Sequence, residues 1–365
     1  MRVLMIIDGL PGGGAEKVLL TLSQGMIADG HRVSLFSLRS VCDYALPAGI
    51  DYQAIIDICK TPWRKLTELS RRAKALDKAI IQAEHAGGAF DLVISHLHKT
   101  DRIVARSQAL PKEKVWFCLH GIFSQSYLGH RSGFSRAFKR YKIAKVYQGR
   151  NIVAVSQAVL TDMTREFTVT PAKATVIYNP FDIREIQQSA CEPCDMAGQD
   201  YLIHVGRLHP NKRHDRLLKS YARTGIQAPL LLLGQGSDSA VNTLRNLAEE
   251  LNIADRVIIK GFTANPYPYI KHAHLLVLSS DSEGFGNVLV EALICQTPVV
   301  STRCPGGPAE ILTGELARGL AEMNDESLAD TIRSVYENPP VINQQLLETY
   351  GITAICQKYA ALAGR

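Results

Sequence analysis

The chain has 365 residues, 46% of them hydrophobic and 21% charged, and a formal net charge of +6, a length that is large for one core and comfortable for two domains. No apolar run approaches the ~18 residues needed to cross a bilayer, and residues 1–9 are too short and too weakly charged for a secretory leader, so a cytoplasmic location is expected. Eight cysteines suit a reducing compartment, and Cys191-Glu192-Pro193-Cys194, with no second pair or histidine cluster beside it in the sequence, argues against a zinc or redox centre.

Strand and helix signals alternate along the chain, which implies α/β layers built on parallel sheets. Residues 3–7 form an apolar strand, Gly12-Gly13-Gly14 follows it, and residues 15–29 continue as a helix. Residues 32–38 give the next strand. Leu66, Leu69, Ala73, Leu76 and Ile80 recur at spacings of three and four, the mark of an amphipathic helix. Residues 91–95, 115–119 and 152–155 are further strands, with His96 and His98 after the first of these and His120 after the second. A first domain over residues 1–182 ends at the turn Asn179-Pro180-Phe181-Asp182. Residues 183–199 are polar and read as a linker. A second α/β cycle then runs over 200–342, with strands at 201–205, 229–233, 257–260 and 274–278, and residues 343–365 are helical in pattern.

Charge divides unevenly: residues 1–180 hold 25 basic and 14 acidic side chains, the remainder 16 and 21. A basic first half faces an anionic surface. Nucleic acid lacks any recognised motif here, which leaves a membrane leaflet. Residues 131–150 carry seven Lys or Arg and no acid. Phe134, Phe138 and Tyr141 are spaced four and three apart there, as in a helix that lies on a membrane. A packed helix with a wet basic face is the alternative.

Three sequence features bear on chemistry. The compact Pro11-Gly12-Gly13-Gly14-Ala15-Glu16 permits close backbone approach to a phosphate or sugar at a helix start, though it departs from the dinucleotide pattern and is equally a flexible turn. Gly206-Arg207-Leu208-His209-Pro210-Asn211-Lys212 ends a strand, where a guanidinium fork and a compact ammonium converge on one anion or form a solvated turn. Glu283 and Glu291 flank the junction between strand 274–278 and a helix at 287–296, where open α/β sheets bind ligands. Gly234, Gly236, Gly261 and Phe262 end two more strands.

The Glu-Gly-Phe-Gly-Asn-Val-Leu run from Glu283 through Glu291, then Thr297-Pro298-Val299-Val300 and Cys304-Pro305-Gly306-Gly307-Pro308, resembles the donor-site signature of GT4-type (group 1) retaining glycosyltransferases. Gly206-Arg207-Leu208 with Lys212 is similar to the diphosphate clamp of that family. The resemblance implies a GT-B fold of two Rossmann-like domains with parallel sheets facing a cleft, the last helix returning to the first domain. It implies transfer of a hexose or N-acetylhexosamine from a nucleotide sugar, UDP-linked, to a glycan or glycolipid of the cell envelope. Arg207, Lys212, Glu283 and His120 would act at the reacting centre. Gly13, Gly14, Gly206, Phe262, Gly284, Phe285, Gly286, Asn287, Val288 and Glu291 would hold the donor, Glu291 on the ribose and Glu283 on the transferred sugar. His96 and His98 would help form the acceptor site. No metal or other cofactor is expected, because the cations supply the charge. A sugar-nucleotide 2-epimerase of the same fold, a catalytically inert sugar-nucleotide-binding subunit and, more distantly, a nicotinamide dehydrogenase are the alternatives.

Overall fold

The structure is a computed structural model and describes residues 1–59 and 64–364; residues 60–63 and Arg365, which fall within the expected first domain and last helix, lie outside it. The chain divides into two units, Met1–Phe181 with Tyr350–Arg365, and Asp182–Thr349.

The first unit contains β1 (Arg2–Ile7), β2 (Arg32–Ser37), β3 (Asp51–Ala54), β4 (Leu92–His96), β5 (Val115–Leu119), β6 (Asn151–Ala154) and β7 (Lys173–Val176). All pairs are parallel, in the order β3-β2-β1-β4-β5-β6-β7. Val3 to Ile7 and every residue of β4 and β5 are buried, as expected for strands covered on both faces. The chain winds outward in opposite directions from β1 and β4, so the loops at their carboxyl ends border a crevice.

Helix Ile352–Ala361 belongs to this unit: Phe181 donates to Tyr350 O at 2.9 Å and Ile352 to Phe181 O at 3.0 Å. Its buried Tyr359 hydroxyl lies 3.4 Å from Cys118 Sγ, and Cys356 Sγ lies 3.7 Å from Leu22 O. A Cβ on Gly25 would sit 2.5 Å from Cys356 Sγ, so glycine sets that approach. The stretch 343–365, expected as one helix, is a 3-10 helix at Gln344–Tyr350 followed, after Gly351, by the α-helix.

The second unit holds β8 (Leu202–Val205), β9 (Leu230–Leu233), β10 (Val257–Gly261), β11 (Leu275–Leu278), β12 (Val299–Thr302) and β13 (Leu320–Ala321), ordered β10-β9-β8-β11-β12-β13. Its core joins Leu202, Leu230, Leu232, Leu275, Val277 and Val300 of the sheet to Leu217, Leu218 and Tyr221 of helix His214–Thr224. On the same core sit Leu328, Ile332 and Val335 of helix Asp325–Glu337. Burial of each such aliphatic side chain is worth about 1.5–3 kcal/mol. The stretch 183–199 is more than a linker. It begins with helix Ile183–Ser189, capped by the Asp182 carboxylate accepting from Glu185 N at 3.0 Å, with Ile186 buried. A good cap and one apolar anchor outweigh the polar composition.

Candidate functional site

The crevice of the second sheet lies between the carboxyl ends of β8 and β11. The loops leaving those strands are tied together there. Lys212 Nζ stands 2.7 Å from Glu283 Oε1. Ser280 Oγ donates to the same carboxylate oxygen. Asn211 donates through Nδ2 to Ser282 O at 2.7 Å and accepts from Ser282 Oγ at 3.0 Å. Ser279 Oγ donates to Lys212 O at 2.8 Å. Behind this layer the buried Arg216 donates to Ser279 O at 2.9 Å and to Asp281 Oδ1 at 2.8 Å. Arg213 spans Asp215 and Asp281, which hold its guanidinium charged above its ordinary range.

Backbone approaches fix the rest. A Cβ on Gly306 would lie 1.8 Å from Glu283 O, at φ +131°, and one on Gly307 would lie 2.2 Å from Phe285 O. Glu283 N donates to Pro305 O at 3.0 Å, so the Gly-Pro turn after β12 buttresses the Glu283 loop. A Cβ on Gly234 would lie 1.9 Å from Gly206 O, and Leu208 N donates to Gln235 O at 2.8 Å. Gly234 thus supports the Arg207 loop through its own backbone.

Helix Asn287–Ile294 starts from Gly286 at φ 97°. One turn in, Glu291 accepts from the Tyr267 hydroxyl at 3.4 Å. Arg207 is exposed and its guanidinium has no hydrogen-bond or ion-pair partner among the described residues. Phe262 is 75% exposed, beside Gly261 at φ +85°. Beneath Lys212, His204 donates from Nδ1 to Val277 O, 2.8 Å away, and meets His214 edge-on. Burial, with the Lys212 charge adding to it, drives His214 down to about 4, and burial holds His204 well below its ordinary range. Both imidazoles are neutral at pH 7.

In the first unit the carboxyl ends of β1, β2, β4 and β5 carry a different set of groups. His96 Nδ1 and His120 Nε2 are 2.9 Å apart with the rings stacked, and burial lowers the His120 pKa to about 4. The neutral His120 is a hydrogen-bonding group and not a cation at pH 7. His96, Cys118 and His120 bring three donor atoms within 4.8 Å of one another, a metal-compatible group that the linear sequence hides because its members leave two different strands. His98 meets the Tyr147 hydroxyl at 2.9 Å, and that hydroxyl donates to Asp101 at 2.7 Å. Leu97, between these histidines, takes φ 74°, a costly region for a branched side chain. Gly12 takes φ +86°, and the Tyr44 hydroxyl donates to Gly13 O at 3.0 Å.

The sequence-derived residues therefore fall into two groups. The second unit brings together Gly206, Lys212, Glu283 and the Gly284–Glu291 segment, with Arg207 on the same loop as Lys212. Gly13, Gly14 and His120 lie in the first unit. Sequence reasoning passed over Asn211, Arg213, Arg216, Ser280 and Asp281, the groups that orient the Lys212 and Glu283 loops. Their only signal was position within or beside the two motif runs.

A family model described as Glycosyltransferase Family 4 matches residues 12–185, and one described as Glycosyl transferases group 1 matches residues 196–352. The chain is a group 1, family 4 glycosyltransferase. This glycosyltransferase is 26% identical, over 97% of its length and 98% of its relative's, to a Campylobacter jejuni enzyme. That enzyme is the N-acetylgalactosamine-N,N'-diacetylbacillosaminyl-diphospho-undecaprenol 4-alpha-N-acetylgalactosaminyltransferase. The present chain is 29% identical to the Escherichia coli lipopolysaccharide 1,6-galactosyltransferase over 47% of its own length and 48% of that protein's. Among solved structures, Anabaena HepE in complex with UDP-glucose superimposes with a TM-score of 0.74 at 22% identity, covering 99% of this chain and 98% of that one. The lipopolysaccharide outer core galactosyltransferase WaaB gives 0.69 at 18% identity, covering 99% of each chain. These likenesses establish the GT-B fold of two Rossmann-like domains.

Proposed function

We propose that this glycosyltransferase moves a hexose or N-acetylhexosamine from a UDP-sugar to a glycan or glycolipid of the cell envelope, with retention of anomeric configuration and without a divalent metal. The Lys212–Glu283 pair at the crevice of the second sheet carries the reading. It sets a phosphate-seeking ammonium beside a hydroxyl-seeking carboxylate, as a sugar diphosphate requires. Arg207 and Lys212 neutralise the departing diphosphate, aided by the positive end of the dipole of helix Asn287–Ile294. Glu283 holds the transferred sugar and Glu291 the ribose. Gly206, Gly284, Phe285, Gly286, Asn287 and Val288 line the donor, and the backbone beside Phe262 receives the base. Gly13, Gly14 and the neutral His120, in the first unit, keep the roles that the family resemblance implies. The C1–phosphate bond breaks as the acceptor oxygen bonds to C1 on the same face, and the hydroxyl proton passes to the leaving phosphate oxygen.

The test is nucleotide release from a panel of UDP-, GDP- and ADP-sugars in excess EDTA, with Lys212→Ala alongside. Release of UDP undiminished by EDTA, and slowed about 10²–10³-fold in the variant, is expected. Activity that needs added magnesium or manganese would sink the metal-free reading.

The acceptor reading extends to the membrane surface. In helix Gly133–Tyr147 the last turn is anchored by buried Ile143, Val146 and Tyr147, while Phe134, Phe138 and Tyr141 are exposed. Phe134 stacks on Phe138, and Lys142 lies 4.2 Å over the Phe138 ring. Apolar rings among cations match an anionic leaflet, each Lys or Arg adding on the order of 1 kcal/mol. No helix among the described residues is long and apolar enough to cross a membrane; the contact proposed for this face is peripheral. Vesicle binding is expected to fall with salt and with Arg136, Lys139 and Arg140 changed to Glu; equal binding to neutral and anionic vesicles would count against it.

A further inference from the structure

The carboxyl edge of the first sheet holds a cluster of charges that the donor reading does not use. Asp8, the residue after β1, is 5% exposed and draws in three cations from three separate elements. Arg39, just past β2, approaches Asp8 Oδ2 at 2.7 Å, and Lys99, three residues past β4, approaches the same oxygen at 3.2 Å. Arg72, from helix Arg64–Gly87, places Nη1 3.6 Å from Asp8 Oδ1 and 3.5 Å from Glu68 Oε1. Its Nη2 donates to Leu38 O at 2.7 Å.

Two features point to a ligand. Three cations meet two carboxylates, a net excess of one positive charge. In addition, Arg39 Nε, Arg72 Nη1 and Asp8 Oδ1 are buried without a hydrogen-bond partner, Arg72 Nη1 keeping only its long contacts to Asp8 Oδ1 and Glu68 Oε1, and the Arg72 side chain is only 9% exposed. An unfilled buried donor costs about 1–3 kcal/mol, and a bound oxyanion removes that cost. The heads of Arg39 and Lys99 remain open to solvent, at 42% and 51% exposure, so the cluster is reachable. Its donors arrive from three directions. A planar carboxylate satisfies one fork, whereas a tetrahedral phosphate offers oxygens to all three.

We infer that Arg39, Arg72 and Lys99 around Asp8 bind a phosphate-type oxyanion, a phosphate ester or diphosphate carried by the acceptor. This rests on the reading that the first unit receives the acceptor. The Arg39 guanidinium lies beside Gly9, with Nε 3.5 Å from where a Cβ would stand. A phosphate here fixes the acceptor by its charged end and leaves the sugar hydroxyl to be selected elsewhere in the unit.

The experiment titrates inorganic pyrophosphate into the full chain by calorimetry in the presence of saturating UDP, which occupies the donor loops. Wild type and Arg207→Gln are expected to bind pyrophosphate alike. Arg39→Gln/Lys99→Gln, which spares the buried Arg72, is expected to bind it at least tenfold more weakly with UDP affinity unchanged. Pyrophosphate binding in the presence of UDP that is absent, or equally tight in the double variant, overturns the site. Binding lost in Arg207→Gln but kept in Arg39→Gln/Lys99→Gln assigns the anion to the donor loops and overturns it as well. If UDP itself fails to bind, the donor reading falls, and the comparison of wild type with the double variant still decides the anion site.

Discussion

The two sheets share a topology, yet they build the edges of their crevices in different ways. In the second unit backbone packs against backbone at the edge, braced by side-chain hydrogen bonds. Gly306 and Gly307 press against Glu283 and Phe285, Gly234 presses against Gly206, and Asn211, Ser279 and Ser282 lace the loops together. In the first unit the edge is made of side chains: Asp8 with Arg39, Arg72 and Lys99, and His96 with His120. Gly12 has open space around it. A backbone scaffold suits a ligand of fixed shape such as a nucleotide diphosphate. Side-chain chemistry suits an acceptor that varies between enzymes, since it changes by substitution without rebuilding loops.

Glycine replacement tests this contrast most severely. Gly306→Ala drives a methyl into Glu283 O and is expected to lower transfer more than about 100-fold, by displacing the Glu283 loop as overpacking does. Gly12→Ala meets no atom within 4 Å and carries only the cost of its positive φ, about 1–2 kcal/mol. Its turnover is expected to stay within about tenfold of wild type. Equal losses in the two variants would remove the distinction.

Acid offers a second break point. A histidine held neutral in the folded state binds its proton more readily when unfolded, so stability falls as pH drops below 6.5 toward the folded value. For His214, at about 4, that is a loss of about 2 kcal/mol at pH 5, and His204 acts in the same direction. The first unit contains His96, His98 and His120 with lowered values. It also buries Asp101, raised to about 8, and Asp162, shifted up, both by desolvation. These carboxyls are protonated more readily when folded, so they add stability as pH falls and offset the histidines. Hydrogen exchange, corrected for intrinsic rate, is expected to show the second unit loosening more than the first between pH 7 and pH 5. The reverse order would contradict this balance.

The smallest effect concerns the two signature carboxylates. Glu291→Ala is expected to weaken free UDP about tenfold, because on the proposed reading it removes a ribose acceptor. Glu283→Ala is expected to leave UDP affinity within about twofold, below roughly 0.5 kcal/mol, while depressing turnover. Loss of the carboxylate also frees Lys212 from its 2.7 Å partner, which works against any loss of phosphate affinity. Calorimetric titration of UDP into both variants decides it. If Glu283→Ala abolishes UDP binding and Glu291→Ala spares it, the two roles are reversed.

The same contrast explains what could be read from the chain. The second edge was legible because a backbone site is encoded locally. Gly206 to Lys212 and Glu283 to Glu291 are unbroken runs, and the Gly306-Gly307 turn lies close behind. The Asp8 cluster was not, because residues 8, 39, 72 and 99 come together only through the strand order β2-β1-β4. The His96–Cys118–His120 group was hidden for the same reason. Short strands such as β3 and β13 lack enough residues to show a period, and the helix in 183–199 rests on one cap and one buried face.

The return of helix Ile352–Ala361 to the first unit makes the second unit an insertion within the first. On the ribosome, residues 1–181 emerge first, but the surface that receives Ile355, Cys356 and Tyr359 stays uncovered until all of residues 182–349 have been made. At ordinary translation rates that wait is on the order of 10–30 s. The second unit, contiguous in sequence, can close its core during this interval. The order of maturation is therefore inverted: the half begun first is finished last, and apolar surface near Leu22 and Cys118 is open to chaperones until then.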